Sequence, residues 1–188
     1  PPLLQKFVPS FYHRIVNFST DLVLFLLLTQ TQAFRSLYES RDVENTINEL
    51  LAFIGMRFNV SRVYIFENDE ENAHCSNTFE WCNEGIQPEI HNLQNVSYEE
   101  DIPGYQRSLS EHGILYCTDI SQLSKDLYDI LAPQGIKSML HCAIYDHGVL
   151  RGYVGFDDCA SNRLWTQNQI DILTFFSEML AVFLLKKR

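Results

Sequence analysis

The stretch YDHGVLRGYVGFDD, residues 145–158, decides how the rest of the chain is interpreted. Its turn signal, Asp146-His147-Gly148, separates two apolar runs, which is typical of a β-hairpin. Its three glycines could instead form a phosphate-binding loop, but such a loop lies between a strand and a helix. Here Gly152 and Gly155 fall inside a strand, and no helix follows directly. We therefore predict a hairpin whose glycines let a helix or a neighbouring backbone approach closely.

The apolar pattern on either side of the hairpin predicts an α+β fold. A helical period spans residues 43–58, with Asp42 or Ser40 as its cap, and a capping box of Thr166 and Gln169 begins the last helix. β-Branched and aromatic runs predict further strands at 61–67, 73–82, 113–120 and 138–145. The order is a helix, two strands, an irregular segment with small helices, three strands and a helix. This order indicates an antiparallel sheet.

Composition and charge restrict the partners of the chain. The formal net charge is −10, which argues against nucleic acid because duplex binding depends on neutralising phosphates. The five cysteines form no C-x-x-C pair, so we expect reduced thiols in a cytoplasmic protein, without a disulfide framework or a metal site. The apolar run LVLFLLL at 22–28 is shorter than the about 20 residues that span a membrane. We therefore expect no membrane insertion by this fragment.

Motifs of catalytic sites are absent from the sequence. It contains no H-E-x-x-H, G-x-S-x-G or P-loop, and no GGDEF, EAL or HD-type signature. The acidic cluster at 67–71 lacks the spacing and the central glycine of an EF-hand, so a solvated hairpin tip explains it better. We therefore predict that this fragment is not an enzyme.

Three segments resemble the GAF domain family. The strings HGVLRGYVGFDDC and LWTQNQIDILTFFSEMLA resemble the end of that domain, where a glycine-containing strand leads through a Trp-Thr step to the last helix. GILYCTDISQL resembles its central strand. SNTFEWCNEGIQPEIHNLQNV resembles GAF domains that precede GGDEF diguanylate cyclase domains in bacterial signalling proteins. The resemblance extends over residues 40–188.

The resemblance implies a sensory module with a defined architecture. It implies an antiparallel sheet of about six strands, with the terminal helices on one face and with loops and small helices over a pocket on the other. The Asn-Lys pattern of members that bind cyclic nucleotides is absent. Cys75 and Cys142 follow histidines and so do not match the Cys-His order of bilin carriers. The ligand is therefore an unknown small molecule, and the cofactor is unknown.

A pocket in this position predicts three ligand-binding residues. The apolar alternate residues of strand 138–145 should meet the helices, so His141 should face the pocket. Trp81 and Tyr105 are the aromatic residues that we expect beside it. The simpler alternative for His141 is a histidine that is hydrogen-bonded under a loop without any ligand.

The terminal helices are predicted to pair two copies of the chain. The last helix carries two apolar stripes, one for the domain's own sheet and one for a partner helix. We expect a homodimer through Leu24, Leu27, Phe176, Leu180 and Phe183. Residues 1–39 would form a connecting signalling helix and residues 40–188 the GAF domain, which would pass the signal to an output domain outside this chain, predicted as a diguanylate cyclase. The alternative is a structural dimerisation module with no ligand.

Replacing both Leu24 and Leu27 by Glu tests the role of the apolar run. An exposed apolar patch of this length is unusual on a monomer, so we expect the run to be buried in a dimer or against the domain. The double variant should then elute as a monomer or aggregate in size-exclusion chromatography with light scattering. An unchanged dimer would contradict the prediction.

Overall fold

The computed structural model describes residues 42–186, apart from the side chains of Phe183, Leu185 and Lys186. Its helices are α1 (Val43–Phe58), α2 (Tyr105–His112), α3 (Lys125–Leu131) and α4 (Gln167–Lys186). Its strands are β1 (Arg62–Asn68), β2 (His74–Cys82), β3 (Val96–Ser97), β4 (Ile114–Cys117), β5 (Ser138–Asp146) and β6 (Val149–Asp158). Two short 3₁₀ turns, Ile120–Gln122 and Ala132–Gln134, flank α3.

The first and last of these helices begin at capping residues that the sequence predicts. The Asp42 carboxylate accepts a hydrogen bond from the Asn45 amide at 3.0 Å, which caps α1. At the start of α4, the Thr166 amide donates to Gln169 Oε1 at 3.1 Å and the Gln169 amide donates to Thr166 Oγ1 at 3.3 Å. The capping box is therefore confirmed. Asn59 ends α1 in a left-handed conformation, with φ at 48°.

The strands form one antiparallel sheet in the order β3-β2-β1-β6-β5-β4. The hairpins β1-β2 and β5-β6 meet at the centre, where β1 pairs with β6. This confirms the α+β class and the antiparallel sheet. Residue patterns predict every strand except β3, because a strand of two residues leaves no periodic signal.

The stretch 145–158 is the hairpin between β5 and β6. His147 and Gly148 take positive φ angles of 47° and 83°, as a two-residue turn between twisted strands requires. A Cβ on Gly152 would overlap the carbonyl oxygen of Phe66 on β1. A Cβ on Gly155 would overlap the ring of Tyr64, also on β1. The prediction of close approach is therefore confirmed, and the neighbour is a strand rather than a helix.

The two faces of the sheet pack against different parts of the chain. Helices α1 and α4 cover one face, where Gly55 lies against the ring of Trp81 and the Cys142 Sγ lies 3.6 Å from Thr174 Oγ1. Helices α2 and α3 and the segment around β3 cover the other face. The buried core on that second face, called the cavity-side core below, consists of Tyr64, Phe66, Cys75, Tyr98, Ile102, Tyr105, Leu109, Leu150 and Tyr153. This is the arrangement that the resemblance implied.

Helix α4 is buried on most sides, which corrects one prediction. Phe176 and Leu180, predicted as contacts with a second copy, are 1% and 0% exposed in the single chain. A helix that is apolar nearly all round is buried nearly all round, so both residues belong to the chain's own core. Leu24 and Leu27 lie outside the described residues, as does the side chain of Phe183. The homodimer itself stays a prediction.

The helices within residues 42–186 include none that is both long enough and apolar enough to cross a membrane. In the same part of the chain, no group of three or more His, Cys, Asp or Glu side chains is placed to hold a metal ion.

Gly155→Ala should destabilise the domain because the buried Tyr64 ring occupies the space that a methyl group would need. We expect the free energy of unfolding to fall by about 1–3 kcal/mol, as overpacking typically costs, in urea denaturation followed by circular dichroism. In a Tyr64→Ala background, adding Gly155→Ala should cost almost nothing further. A cost that persists in that background would contradict the overlap with Tyr64.

Candidate functional site

A small cavity lies between the sheet and the helices α2 and α3. Its volume is about 50 Å³, enough for a few water molecules. Side chains of β1, β2, β5 and β6 form its floor, while Tyr105 of α2 and Leu127 and Ile130 of α3 lie over it. Several buried polar side chains meet in this cavity, and it is therefore the candidate site.

Tyr64, His141 and Tyr105 connect three elements at the centre of the cavity. The Tyr64 hydroxyl lies 2.7 Å from His141 Nε2, and the Tyr105 hydroxyl lies 2.5 Å from His141 Nδ1. Tyr64 is on β1 and His141 on β5, with Gly155 of β6 between them in register. Because Gly155 has no side chain, the Tyr64 ring crosses β6 and reaches the histidine.

The hydrogen bonds of this network assign one tautomer to His141. The Tyr64 hydroxyl donates to Asp157 Oδ1 at 2.9 Å, so its oxygen accepts the proton of His141 Nε2. The unprotonated Nδ1 is then the acceptor for the Tyr105 hydroxyl. Burial lowers the pKa of His141 to about 3, so the imidazole is neutral near pH 7.

Arg62 and Asp157 form a buried ion pair beside this network. Arg62 Nη1 lies 3.6 Å from Asp157 Oδ2, and the two side chains are 3% and 1% exposed. Burial raises the pKa of Asp157 to about 7, although Arg62 and the Tyr64 hydroxyl both favour the charged form. The Asp157 carboxyl therefore holds its proton to a higher pH than an ordinary aspartate does.

Arg62 also connects the two segments that cover the cavity. Its Nε donates to the carbonyl oxygen of Gln87 at 3.1 Å, and its Nη2 donates to that of Gln134 at 2.8 Å. Gln87 lies between β2 and β3, and Gln134 lies in the 3₁₀ turn after α3. The segment between β2 and β3 is held further by Glu80, whose Oε2 accepts from two of its backbone amides at 2.9 Å.

Four polar atoms at the cavity have no hydrogen-bond partner within the described part of the chain. They are Asn77 Nδ2, Asn77 Oδ1, Arg62 Nη1 and Asp157 Oδ2. All three side chains line the cavity, and none of the residues is more than 2% exposed. An unsatisfied buried polar group costs about 1–3 kcal/mol, so this concentration of them marks the cavity as the candidate site.

Two of the three predicted ligand-binding residues come together in the structure. His141 and Tyr105 both line the cavity, and a role in ligand binding stays a prediction for them. Trp81 does not line it, because its ring lies against Gly55 of α1 on the opposite face of the sheet. The expected position of Trp81 is therefore wrong.

A β-bulge explains the position of Trp81. Regular alternation along β2 would place Asn77 and Trp81 on the same face. The pairing of β2 with β1 shifts between Ile65 and Phe66, so one residue of β2 is left over and the faces exchange. Asn77 consequently lies on the cavity face, and Trp81 lies under α1.

The sequence analysis missed four residues of the site: Arg62, Tyr64, Asn77 and Asp157. A signal existed for two of them, because Arg62 and Asp157 are opposite charges within otherwise apolar strands, and buried charges occur in pairs. Nothing in the sequence marks Asn77, since its position follows from the bulge.

A larger groove of about 670 Å³ lies beside the end of α1 and the start of α4. Two of its charged side chains have partners: Arg163 donates to the carbonyls of Phe58 and Asn59 at 2.7 and 3.0 Å and lies 3.4 Å from Asp158. None of the unpartnered buried polar atoms in residues 42–186 lines this groove. Its polar groups hold the end of α1 in place, and we keep the candidate site in the smaller cavity.

Comparison with known proteins identifies one family and one curated relative. The model of the GAF domain family matches residues 42–184. The methanogenesis regulatory histidine kinase FilI of Methanothrix harundinacea (strain 6Ac) is 32% identical over 152 residues. That match covers 79% of this chain and 17% of the relative, so the chain corresponds to a small part of that protein.

Solved structures share the fold at low sequence identity. The GAF domain of the cyanobacteriochrome TePixJ has a TM-score of 0.67 at 17% identity, covering 80% of this chain and 93% of that chain. The blue-light-absorbing form of the Thermosynechococcus elongatus PixJ GAF domain has a TM-score of 0.64 at 18% identity, covering 76% and 84%. The phycocyanobilin-bound GAF domain from a cyanobacterial phytochrome has a TM-score of 0.71 at 15% identity, covering 83% and 91%. At these identities the likeness concerns the fold alone.

The shifted pKa of His141 predicts how this residue affects stability in acid. The folded protein binds the His141 proton less tightly than the unfolded chain, whose histidine pKa is about 6.5. His141 therefore lowers the free energy of unfolding as the pH falls from about 6.5 towards 3. Asp157 acts in the opposite direction between about pH 4 and 7, because its pKa is raised in the folded protein.

The variant His141→Gln separates the two effects, since Asp157 is present in both proteins. The wild type minus variant difference in free energy of unfolding should decrease as the pH falls from 7 to 4.5. Urea denaturation at each pH measures this difference, and the exposed His91→Gln variant gives the background. A difference that is constant over this range would contradict a neutral, buried His141.

Proposed function

The chain belongs to the GAF domain family, whose members are sensory and not catalytic modules, and we propose that it senses a small molecule bound in the cavity. The ligand would lie between the sheet and the covering segments, beside Tyr105 and His141. The observation that carries this proposal is the attachment of both covering segments to Arg62, a residue of the cavity whose Nη1 makes no hydrogen bond.

Arg62 makes closure of the cavity depend on a single side chain. Its guanidinium holds the carbonyls of Gln87 and Gln134, and the residue lines the cavity, with Nη1 3.6 Å from Asp157 Oδ2. A ligand that bonds Nη1 stabilises the orientation in which both carbonyls are held. Such a ligand has a higher affinity for the closed arrangement, which is the condition for shifting a conformational equilibrium.

Strand β5 provides a route from the cavity to α4. His141 faces the cavity, and its neighbour Cys142 faces the helices, with its Sγ 3.6 Å from Thr174 Oγ1 of α4. A displacement of β5 at His141 would therefore change the packing of α4. We propose that α4 passes this change, in a homodimer, to the domain that follows.

Bilins, which some structural neighbours bind, do not fit this cavity. Sites that enclose a drug-sized ligand have about 300–1,000 Å³, against about 50 Å³ here. Cys75 is the cysteine of the cavity-side core, and burial raises the pKa of its thiol to about 11. A protonated thiol is a poor nucleophile for attaching a chromophore. We therefore propose a ligand much smaller than a bilin.

The output of the full protein is proposed from the curated relative. FilI is named as a regulatory histidine kinase, which supports a kinase output for this chain. The diguanylate cyclase output that we expected from the resemblance has no such support. Since the match covers 17% of FilI, the kinase assignment concerns the region beyond the GAF domain.

A structural module without a ligand is the second candidate function. The cavity of about 50 Å³ favours it, because side chains of the domain itself fill most of the space that a larger ligand would need. In this case the domain would only pair two copies of the chain. The two functions differ in whether a molecule occupies the cavity.

Native mass spectrometry of the 188-residue chain tests the proposal. We expect an added mass that disappears on denaturation. Arg62→Lys should reduce its occupancy at least about tenfold, because an ammonium group cannot hold both carbonyls and a ligand in the same fixed geometry. Arg107→Lys is the matched control, since Arg107 is exposed and paired only with Glu111 in the described contacts. A wild-type chain of bare mass would support the structural alternative.

A further inference from the structure

We propose that the cavity selects a small neutral molecule with an amide-like edge, such as a carboxamide, lactam or urea, and that Asn77 recognises this edge. This inference rests on the proposed function, because it names the chemical class of the ligand that the cavity would bind. It is carried by the unpartnered polar atoms at the two ends of the cavity.

Asn77 presents one donor and one acceptor to the cavity. The residue is 2% exposed, and neither Nδ2 nor Oδ1 has a hydrogen-bond partner within the described chain. Its backbone is fixed, since its amide donates to the Leu93 carbonyl at 2.9 Å and its carbonyl accepts from Gln94 Nε2 at 2.7 Å. The side chain is therefore held in place with its complete hydrogen-bonding capacity unused.

At the other end of the cavity, Arg62 and Asp157 supply a second donor and a second acceptor. Arg62 Nη1 is a donor and Asp157 Oδ2 is an acceptor, and both are buried without a hydrogen bond, while they face each other at 3.6 Å as an ion pair. Between the two ends, Tyr64, His141 and Tyr105 bond one another, and both ring nitrogens of His141 are in use. Among the described residues, two donor atoms and two acceptor atoms of the cavity therefore make no hydrogen bond, and those of Asn77 also belong to no ion pair.

The mixture of donor and acceptor atoms without hydrogen bonds disfavours simple ions as ligands. A carboxylate has acceptors only, so it would leave Asn77 Oδ1 unpaired, and the acidic residues Glu80 and Asp157 of the cavity lining oppose its attraction to Arg62. An ammonium group has donors only and would lie beside Arg62. A neutral amide, lactam or urea has a donor next to an acceptor and pairs with Asn77 through both. Sites that bond both groups discriminate strongly against analogues that lack one of them.

The size of the cavity favours the smallest members of this class. Its volume of about 50 Å³ suits a ligand of few atoms. The flank near Asn77 is apolar and flat, because Phe66, which pairs with Asn77 across the strands, stacks on Tyr153 with centroids 4.8 Å apart and planes at 5°. A planar amide group therefore fits beside these rings.

Acetamide, acetone and acetate form a matched set of probes for this inference. They share one shape, but only acetamide has a neutral donor beside an acceptor. In NMR titrations of the intact chain, acetamide should bind at least about tenfold more tightly than the other two, because each of them leaves a buried group unpaired. Saturation should shift the side-chain amide signal of Asn77, and Asn77→Leu should remove the preference for acetamide.

Two asparagine variants provide a second test that needs no ligand. Asn68 is also buried, but its Nδ2 donates to Asn72 Oδ1 and to the Leu150 carbonyl, and its Oδ1 accepts from the Tyr98 hydroxyl. Asn68→Leu should raise the unfolding equilibrium constant about tenfold or more. Asn77→Leu should leave it unchanged or lower it, since an unsatisfied polar group is replaced by an apolar one of similar size.

The outcomes separate this inference from the proposed function. Equal affinity for the three probes, or no saturable binding of acetamide, overturns the amide class. Equal destabilisation by Asn77→Leu and Asn68→Leu also overturns it, because Asn77 would then be satisfied by ordered water. A non-covalent mass in the native spectrum would leave small-molecule sensing intact in each case, whereas a bare chain mass counts against both.

Discussion

The ring of Tyr64 occupies the space that a side chain at position 155 would need. The candidate site therefore depends on the absence of a side chain at Gly155. By crossing β6 over Gly155, the Tyr64 hydroxyl reaches His141 on β5 and Asp157 on β6. Polar groups on three strands and on α2 thereby satisfy one another in the interior of the domain. A glycine inside a strand weakens the strand locally. Here the same glycine leaves the room that a buried polar network needs at the centre of the sheet.

The features that could be predicted from the sequence are the local ones. The Asp42 cap, the capping box at Thr166 and the turn at His147-Gly148 each depend on residues a few positions apart, and the structure contains all three. Alternation along the regular strand β5 predicted that His141 faces the cavity, and it does. Trp81 was misplaced because the bulge in β2 depends on how that strand pairs with β1. The pairing of Arg62 with Asp157 is likewise a property of the assembled sheet, since the two residues belong to strands at opposite ends of the domain sequence.

The polar groups of the cavity are arranged at a cost to stability. A buried ion pair contributes to stability only when its geometry is good, and Arg62 Nη1 and Asp157 Oδ2, which face each other at 3.6 Å, are too far apart for a hydrogen bond. Asn77 adds an unbonded amide in apolar surroundings. Violations of this kind concentrate at functional sites, where a bound molecule restores the missing hydrogen bonds. A domain that served only to pair two chains would gain stability from an apolar residue at position 77.

The attachment of the covering segments through main-chain atoms has a consequence for how such domains diverge. Arg62 bonds the carbonyl oxygens of Gln87 and Gln134, and every amino acid supplies a carbonyl oxygen. The side chains of both segments are therefore free to change over evolution while the segments stay anchored at the same point. Homologous domains that keep this arginine can change the side chains of both segments without losing the two hydrogen bonds that anchor them.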